Sequence, residues 1–172
     1  MTEPFKILIL SVGSLLGQNI LDVLEHRRQN IQLIGSNSLV ENPRNFRCDR
    51  LYYLPELSQR DLFLEHLGTV LEREKPDLML PGRDDDVVFL AEFKEQNPQW
   101  ANALPCGKSR IAAVIRDKFL TYQWAQAHNL AFAHSFVYTD KQDQVLLEQF
   151  VQNTGYPLIA KDAQAEALVY WK

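Results

Sequence analysis

The sequence has little of several features that define large classes of proteins. Its 172 residues include only two cysteines, Cys48 and Cys106, which lie far apart and have no Cys-x-x-Cys spacing. Neither a disulfide framework nor a zinc site is therefore indicated. No metal-ligand spacing relates the four histidines, His26, His66, His128 and His134. We expect two reduced thiols and no metal site.

Long apolar runs and an excess of basic residues are also missing. The longest apolar run, residues 7–12, is far shorter than a membrane span, and the N-terminal residues lack the basic and apolar parts of a signal sequence. The net charge is −4 and the isoelectric point about 5.6, so no general basic surface exists to neutralise a phosphate backbone. These absences predict a cytoplasmic protein without a nucleic-acid or membrane partner.

The first hundred residues alternate between two hydrophobic patterns. Residues 5–12 are apolar except for one lysine, which is typical of a strand buried on both faces, and shorter apolar stretches predict strands at 31–35, 51–54 and 78–80. Helical patterns follow the first, third and fourth of these strands, with starts indicated by Ser14, by a capping-box-like Ser58 and Asp61, and by Asp84, whereas residues 36–47 predict a loop between the second and third strands. Strands joined through helices predict an α/β fold with a Rossmann-like open parallel sheet.

The pattern changes after residue 105. Helix formers dominate residues 109–129, with Ile115, Phe119, Leu120 and Trp124 as expected inward positions. An extended stretch at 132–138, a helix between Asp140 and Gly155, and a strand at 157–161 with a hairpin partner at 167–171 then follow. We therefore predict two domains, residues 1–107 and 108–172.

Two loops at strand ends are candidate ligand-binding segments. In the first, Gly13 permits a tight turn, and Ser14 opens a helix whose N–H groups suit an anion. The spacing is GxxxG rather than GxGxxG, and no acidic residue ends the second strand, so the dinucleotide fingerprint fails. The turn is either a ligand-lining loop or a packed β–α turn in which Gly17 lets the helix approach the sheet.

The second loop carries Arg83 and three acids, residues 84–86, at the end of a buried strand. Open α/β sheets gather ligand contacts at such ends. Adjacent helical positions point in different directions, and acids in a first turn are favoured by the helix dipole. The acids therefore predict helix capping rather than a metal site.

Two lysine motifs follow in the second half. Asp117-Lys118 opens an amphipathic helix, an extended segment comes next, and residues 155–161 read Gly-Tyr-Pro-Leu-Ile-Ala-Lys. This succession resembles the ATP-grasp superfamily, in which a DK-type helix precedes a GYPLVVK-type strand. Together with the SxGxxxG turn after the first strand, it looks most like carbamoyl-phosphate-synthetase-like members.

The resemblance implies a Rossmann-like pre-ATP-grasp domain over 1–107, followed by the beginning of an ATP-grasp α+β subdomain. It implies that Lys118 and Lys161 bind ATP, with Mg²⁺ in the intact enzyme, and that two loops face a small-molecule acceptor. The acceptor candidates are Gly13, Ser14, Arg83 and Asp84. Considered singly, each lysine is better explained as a solvated surface residue, and it is their joint placement in the pattern that favours ATP binding.

The chain departs from the family pattern after the strand lysine. Where the family has a proline and a glycine-rich flap, residues 162–167 contain no glycine, and the family's magnesium-holding acids do not follow. We expect the N-terminal portion of an ATP-dependent carboxylate-amine or thiol-type ligase, inactive without its missing half or a partner subunit.

Two alternatives remain open. One is a non-catalytic binding or oligomerisation module, for example a homodimer formed through apolar residues that lack a complete sheet: Tyr156, Leu158, Val169, Tyr170 and Trp171. The other is an NAD(P)-binding Rossmann domain.

Overall fold

A computed structural model describes residues 3–161 and the backbone of residues 168–171. Its contacts divide the chain into two compact units, Met1–Ser109 and Arg110–Lys172. Cys48 and Cys106 are free thiols, as the sequence predicts. Among the described residues, no helix is both long enough and apolar enough to cross a membrane.

The first unit alternates strands and helices in the predicted order. Two short 3-10 helices, Pro43–Arg47 and Pro98–Ala103, accompany the main elements. These main elements are β1 (Phe5–Ile9), α1 (Leu15–Leu24), β2 (Ile31–Asn37), β3 (Arg50–Tyr53), α2 (Arg60–Glu74), β4 (Leu78–Leu80) and α3 (Asp84–Gln96).

The four strands form one parallel sheet in the order β3-β2-β1-β4. Phe5 of β1 aligns with Ile31 of β2, and Ile7 of β1 aligns with Leu78 of β4. The chain moves outward from β1 to β3 and then returns to add β4 on the other side, so the strand order reverses between β1 and β4. In open α/β sheets, the crevice at such a reversal is where ligands bind.

The side chains of β1 alternate between two apolar clusters, one on each face of the sheet. Leu8 belongs to the cluster that contains residues of α2 and α3. Ile7 and Ile9 belong to the cluster that contains Leu21 of α1. Burial of each such side chain contributes about 1.5–3 kcal/mol relative to exposure. Helices on both faces explain the continuous apolar run of the first strand.

The second unit contains helices and a β-hairpin. Asp117 caps the N-terminus of α5 by accepting hydrogen bonds from the backbone N–H groups of Phe119 and Leu120. The predicted hairpin is confirmed, since Leu158 pairs with Trp171 in antiparallel register. Its elements are α4 (Ser109–Arg116, which begins on the last residue of the first unit), α5 (Lys118–Ala127), a 3-10 turn (Lys141–Asp143), α6 (Gln144–Thr154), β5 (Leu158–Lys161) and β6 (Leu168–Trp171).

Some local expectations were wrong. The helix α2 has Gln59 at its N-cap, with no side-chain hydrogen bond there, so Ser58 lies outside the helix and forms no capping box with Asp61. Ile115, Leu120 and Trp124, expected to point inward, are 69%, 41% and 44% exposed.

The second unit buries few of its apolar side chains. Among its described residues, only Ala112 and Ala125 are buried hydrophobic residues. Tyr156 is exposed, as expected for an unpacked strand, and Leu158 is partly buried, whereas the side chains of residues 169–171 lie outside the described part of the chain. The exposed large apolar residues of this unit are Ile111, Ile115, Leu120, Trp124, Leu130, Phe132, Val137, Tyr138, Val145, Leu146, Tyr156 and Ile159.

Candidate functional site

Arg83 and Ser11 meet at the reversal point between β1 and β4. Ser11 follows β1, and Arg83 is the N-cap residue of α3, directly after β4. The Arg83 Nε–H donates to Ser11 Oγ over 3.0 Å, and the Ser11 hydroxyl donates to Asp86 Oδ1 over 3.2 Å. Ser11 adopts a left-handed backbone conformation, with φ of 46°. Such a conformation is uncommon for a residue other than glycine, and strained residues concentrate at functional sites.

Asp86 anchors this arrangement from within the protein. It is 1% exposed, and its Oδ2 accepts from the backbone N–H groups of Gly82 and Arg83 over 3.1 and 3.0 Å. Burial raises the pKa of the Asp86 carboxyl, although hydrogen bonds from Ser11 and Gly82 act in the opposite direction. The predicted capping role is confirmed, because this carboxylate satisfies two donors at the start of α3.

Asp84 and Asp85 lie on the surface beside it. Both are exposed, in the first turn of α3, where the helix dipole favours negative charge. Within residues 3–161, no three His, Cys, Asp or Glu side chains are grouped so as to hold a metal ion. The acids of this loop therefore serve the helix and the local electrostatics.

Two further loops reach Arg83 from the other strands. Glu56 lies beyond β3, and its Oε2 is 3.4 Å from Arg83 Nη2. Ser38 immediately follows β2, and its hydroxyl donates to Glu56 Oε1. Side chains from all four strand ends are thus joined into one series of contacts, which we call the four-loop network: Ser11, Ser38, Glu56, Arg83 and Asp86.

Gly13 follows Ser11 of this network by two positions and is not on the surface. It is buried, and a Cβ atom added to it would be 2.4 Å from Asn42 Nδ2 and 2.5 Å from Asn37 Nδ2. Asn37 Nδ2 also donates to Asn45 Oδ1 over 2.7 Å. Glycine is favoured here because the side-chain amides of Asn37, at the end of β2, and of Asn42, in the loop that follows, occupy the space of a side chain.

Ser14 joins the two candidate loops. Its hydroxyl donates to the carbonyl oxygen of Gly82 over 2.5 Å, and its Oγ accepts from the Gly17 N–H over 3.0 Å, capping α1 as predicted. A Cβ at Gly17 would lie 2.6 Å from the carbonyl oxygen of Val12. Gly17 therefore serves close packing of helix against sheet, which is the packed-turn interpretation of this motif.

The two candidate ATP lysines lie in the second unit. Lys118 is the first residue of α5 and is partly buried, and Lys161 is the last residue of β5 and is exposed. A cation at a helix N-terminus opposes the helix dipole, and the Asp117 carboxylate already accepts from the N–H groups of Phe119 and Leu120 there. The glycine-poor segment that follows Lys161, residues 162–167, lies outside the described residues.

Sequence reasoning included Ser11 in the SxGxxxG turn without giving it a role, and it missed Ser38 and Glu56. Each lies within a few residues of the end of an apolar strand, and that position was the available signal. Their convergence on Arg83 depends on the strand order, because only the order β3-β2-β1-β4 sets these loops side by side.

Comparisons with known proteins identify the fold. No protein-family model matches the chain, and no curated protein matches its sequence at a significant level. The L-amino acid ligase from Bacillus licheniformis matches with a TM-score of 0.68 and 15% identity, over 99% of this chain and 38% of that chain. N5-carboxyaminoimidazole synthetase from Staphylococcus aureus matches with a TM-score of 0.60 and 12% identity, over 99% of this chain and 41% of that chain.

A third similar structure contains a nucleotide. The biotin carboxylase domain of 2-oxoglutarate carboxylase from Hydrogenobacter thermophilus, solved with MgADP and bicarbonate, matches with a TM-score of 0.57 and 11% identity, over 99% of this chain and 38% of that chain. All three are ATP-grasp proteins, so the chain has the fold of the N-terminal region of ATP-grasp proteins, as its motifs predict. It spans about two fifths of the length of these structures.

Proposed function

We propose that this chain is the N-terminal portion of a cytoplasmic, ATP-dependent carboxylate-amine or thiol-type ligase of the carbamoyl-phosphate-synthetase-like kind, and that its first unit binds the acceptor substrate. The observation that carries the proposal is the four-loop network, which places fixed polar groups at the reversal point of an ATP-grasp N-terminal fold.

In this proposal the acceptor contacts the surface groups of the network. Arg83 and Asp84 present charges there, Ser14 holds the two loops together, and the buried Gly13 shapes the floor beneath them. Asp86 is too deeply buried to meet a ligand and instead positions the Arg83 backbone. Fixed polar groups of this kind orient a substrate before reaction.

Lys118 and Lys161 are the proposed ATP ligands of the second unit. Two ammonium groups from separate elements can neutralise and orient a nucleotide's phosphates. Magnesium needs carboxylate ligands, and residues 3–161 contain no grouped set for it. In this proposal the carboxylates that hold magnesium for phosphoryl transfer come from a further segment or a partner subunit, and we expect the chain alone to be catalytically inactive.

Calorimetric titration with MgATP tests the nucleotide half of the proposal. We expect saturable binding that weakens about tenfold in Lys118→Ala and in Lys161→Ala, because each variant removes a charge-assisted bond to phosphate. Lys141→Ala, which alters another exposed lysine of the second unit, is the matched control and should bind as the wild type does. Absence of binding at millimolar MgATP would overturn the nucleotide role.

The second candidate is a non-catalytic module that assembles through the second unit. The exposed apolar side chains of that unit, including Trp124 and Tyr156, favour it. Sedimentation velocity distinguishes the two: a stable homodimer that fails to bind MgATP supports the module, and a monomer that binds MgATP supports the ligase portion.

A further inference from the structure

The four-loop network contains a pair of opposite charges, Arg83 and Glu56, and each of the two side chains is hydrogen-bonded to a serine. The inner nitrogen of the Arg83 guanidinium, Nε, is bonded to Ser11, whose hydroxyl is itself fixed by the buried Asp86. On the opposite side, Glu56 Oε1 is bonded to the Ser38 hydroxyl. Each anchor leaves an outer edge of the charged group, Nη2 of Arg83 and Oε2 of Glu56, directed toward the other charge.

The contact between these two outer edges is loose. The Arg83 Nη2 to Glu56 Oε2 distance is 3.4 Å, longer than the roughly 2.7–2.9 Å of a strong charge-assisted bond, and the two side chains are 40% and 46% exposed. An exposed ion pair of this kind contributes little stability. A ligand can therefore displace it at small cost while both groups keep their serine anchors.

We propose, on the basis of the proposed acceptor role, that this pair receives a zwitterion with adjacent ammonium and carboxylate groups, as in the backbone of a free α-amino acid. The ligand carboxylate takes the Nη edge of Arg83, and the ligand ammonium takes Oε2 of Glu56. The ligand inserts between the two side chains and breaks their ion pair. Its carboxylate then replaces Glu56 as the partner of Arg83, and its ammonium replaces Arg83 as the partner of Glu56.

Charge complementarity selects against ligands with only one of these groups. A simple carboxylate placed on Arg83 meets the negative charge of Glu56 and of the exposed Asp84 close by. A simple amine placed on Glu56 meets the positive charge of Arg83. Only a zwitterion satisfies both protein charges without leaving one facing a like charge.

Another exposed arginine–glutamate pair of the same unit provides a contrast. Arg60 on α2 and Glu92 on α3 are 2.7 Å apart, and the Arg60 guanidinium also lies over the Phe89 ring at 5.6 Å. This pair is closed and joins two helices rather than strand ends. It has similar exposure, 47% and 37%, and serves as the matched control.

The test is an NMR titration of the ¹⁵N-labelled chain with three matched probes: glycine, acetate, which lacks the ammonium, and methylammonium, which lacks the carboxylate. We expect glycine to shift the Arg83 Nε–H signal and the Arg83 backbone amide saturably. Acetate and methylammonium should bind at least about tenfold more weakly, because each loses one charge-assisted bond. Acetate binding as tightly as glycine would overturn the proposal, as would a titration with glycine that gives no saturable shift.

Variants assign the site. Arg83→Gln and Glu56→Gln should each weaken glycine binding about tenfold or more, whereas Arg60→Gln should leave it unchanged. Equal effects of all three substitutions would mean binding elsewhere and would overturn the proposal. The MgATP titration depends on different residues, Lys118 and Lys161 of the second unit. Glycine failure with intact MgATP binding therefore rejects only the zwitterion, and MgATP failure with intact glycine binding rejects the nucleotide role.

Discussion

Gly17 and Gly68 both lie inside helices of the first unit, yet their surroundings are opposite. A Cβ on Gly17 would meet only backbone atoms, at 2.6 to 2.9 Å from Val12 and Ser11. A Cβ on Gly68 would meet nothing within 4 Å. The first glycine is required by close packing of α1 on the sheet, and the second only weakens its helix.

The same substitution at these two positions should change stability in opposite directions. We expect Gly17→Ala to lower the free energy of unfolding by about 1–3 kcal/mol, because rigid backbone must move. Gly68→Ala should raise it by about 0.5–1 kcal/mol through helix propensity. Urea unfolding followed by circular dichroism measures both. A stabilised Gly17→Ala variant would show that α1 can move away from the sheet without loss.

Single residues also show how far sequence reasoning reaches. Ser14 capping α1 and Asp86 capping α3 were predictable, because their partners lie within a few residues along the chain. Ser11 and Glu56 as partners of Arg83 were not, because 72 and 27 residues separate each pair. A helix cap is specified by residues that are close in the sequence. Which residues meet in the candidate site depends instead on which strands become neighbours in the sheet.

At the scale of elements, a buried charge joins α2 to β3. The Glu74 side chain is fully buried, and its two carboxylate oxygens accept from Arg50 Nη1 over 2.8 and 2.7 Å. The Tyr52 hydroxyl donates to the same carboxylate, and Lys6 Nζ on β1 donates to the Glu74 carbonyl oxygen over 2.9 Å. The end of this helix is thereby fixed to two strands.

This cluster should make stability depend on pH. Burial raises the pKa of Glu74, but hydrogen bonds from Tyr52 and Arg50 outweigh it, and the net pKa lies below the ordinary value of 4.5. Its stabilising contribution is therefore present above about pH 4.5 and is lost as the pH falls through the lowered pKa of the folded state. We expect the stability advantage of wild type over Glu74→Gln to shrink on acidification.

Urea unfolding at neutral pH and at several values below 4.5 measures that advantage. Glu72→Gln, an exposed glutamate on the same helix, is the control and should show no comparable change. An advantage of wild type over Glu74→Gln that stays constant across this range would contradict the assignment of the lowered pKa to Glu74.

Whole elements were predicted better than their ends. Apolar runs located all four strands of the parallel sheet, and the run of β1 is the longest because helices cover both faces of that strand, whereas the edge strand β3 is mostly exposed and gave only a short run. Within the helical pattern over 109–129, the predicted helix start at Asp117-Lys118 is confirmed, and residues 109–116 form a separate helix before it. Residues 132–138 were predicted only as an extended stretch, and they belong to no helix and no paired strand in the described part of the chain.

At the scale of the whole molecule, the two units differ in the size of their cores. Both apolar clusters consist of residues between Ile7 and Cys106, all in the first unit. The described part of the second unit buries only Ala112 and Ala125. Since apolar burial is the main favourable term in folding, the first unit should dominate the stability of the chain.

Hydrogen exchange should show this difference directly. We expect amides of β1 and β2 to exchange only through global opening, which costs about 5–15 kcal/mol in typical domains. Amides of α6 should exchange through openings of much lower free energy. Mass spectrometry of peptides from the two units measures both in one sample. Equal protection across the units would mean that the second unit is stabilised by contacts other than apolar burial.

The distribution of the network over separate loops also bears on how such chains diversify. Ser11, Ser38, Glu56 and Arg83 each follow a different strand, and none of their side chains takes part in the strand pairing that holds the sheet. A mutation at any one of them can alter ligand preference while the sheet stays intact. A single substitution can then change ligand specificity without loss of the fold. Sequences that diverge in this way keep the same fold at low identity, such as the 11–15% identity to the solved structures.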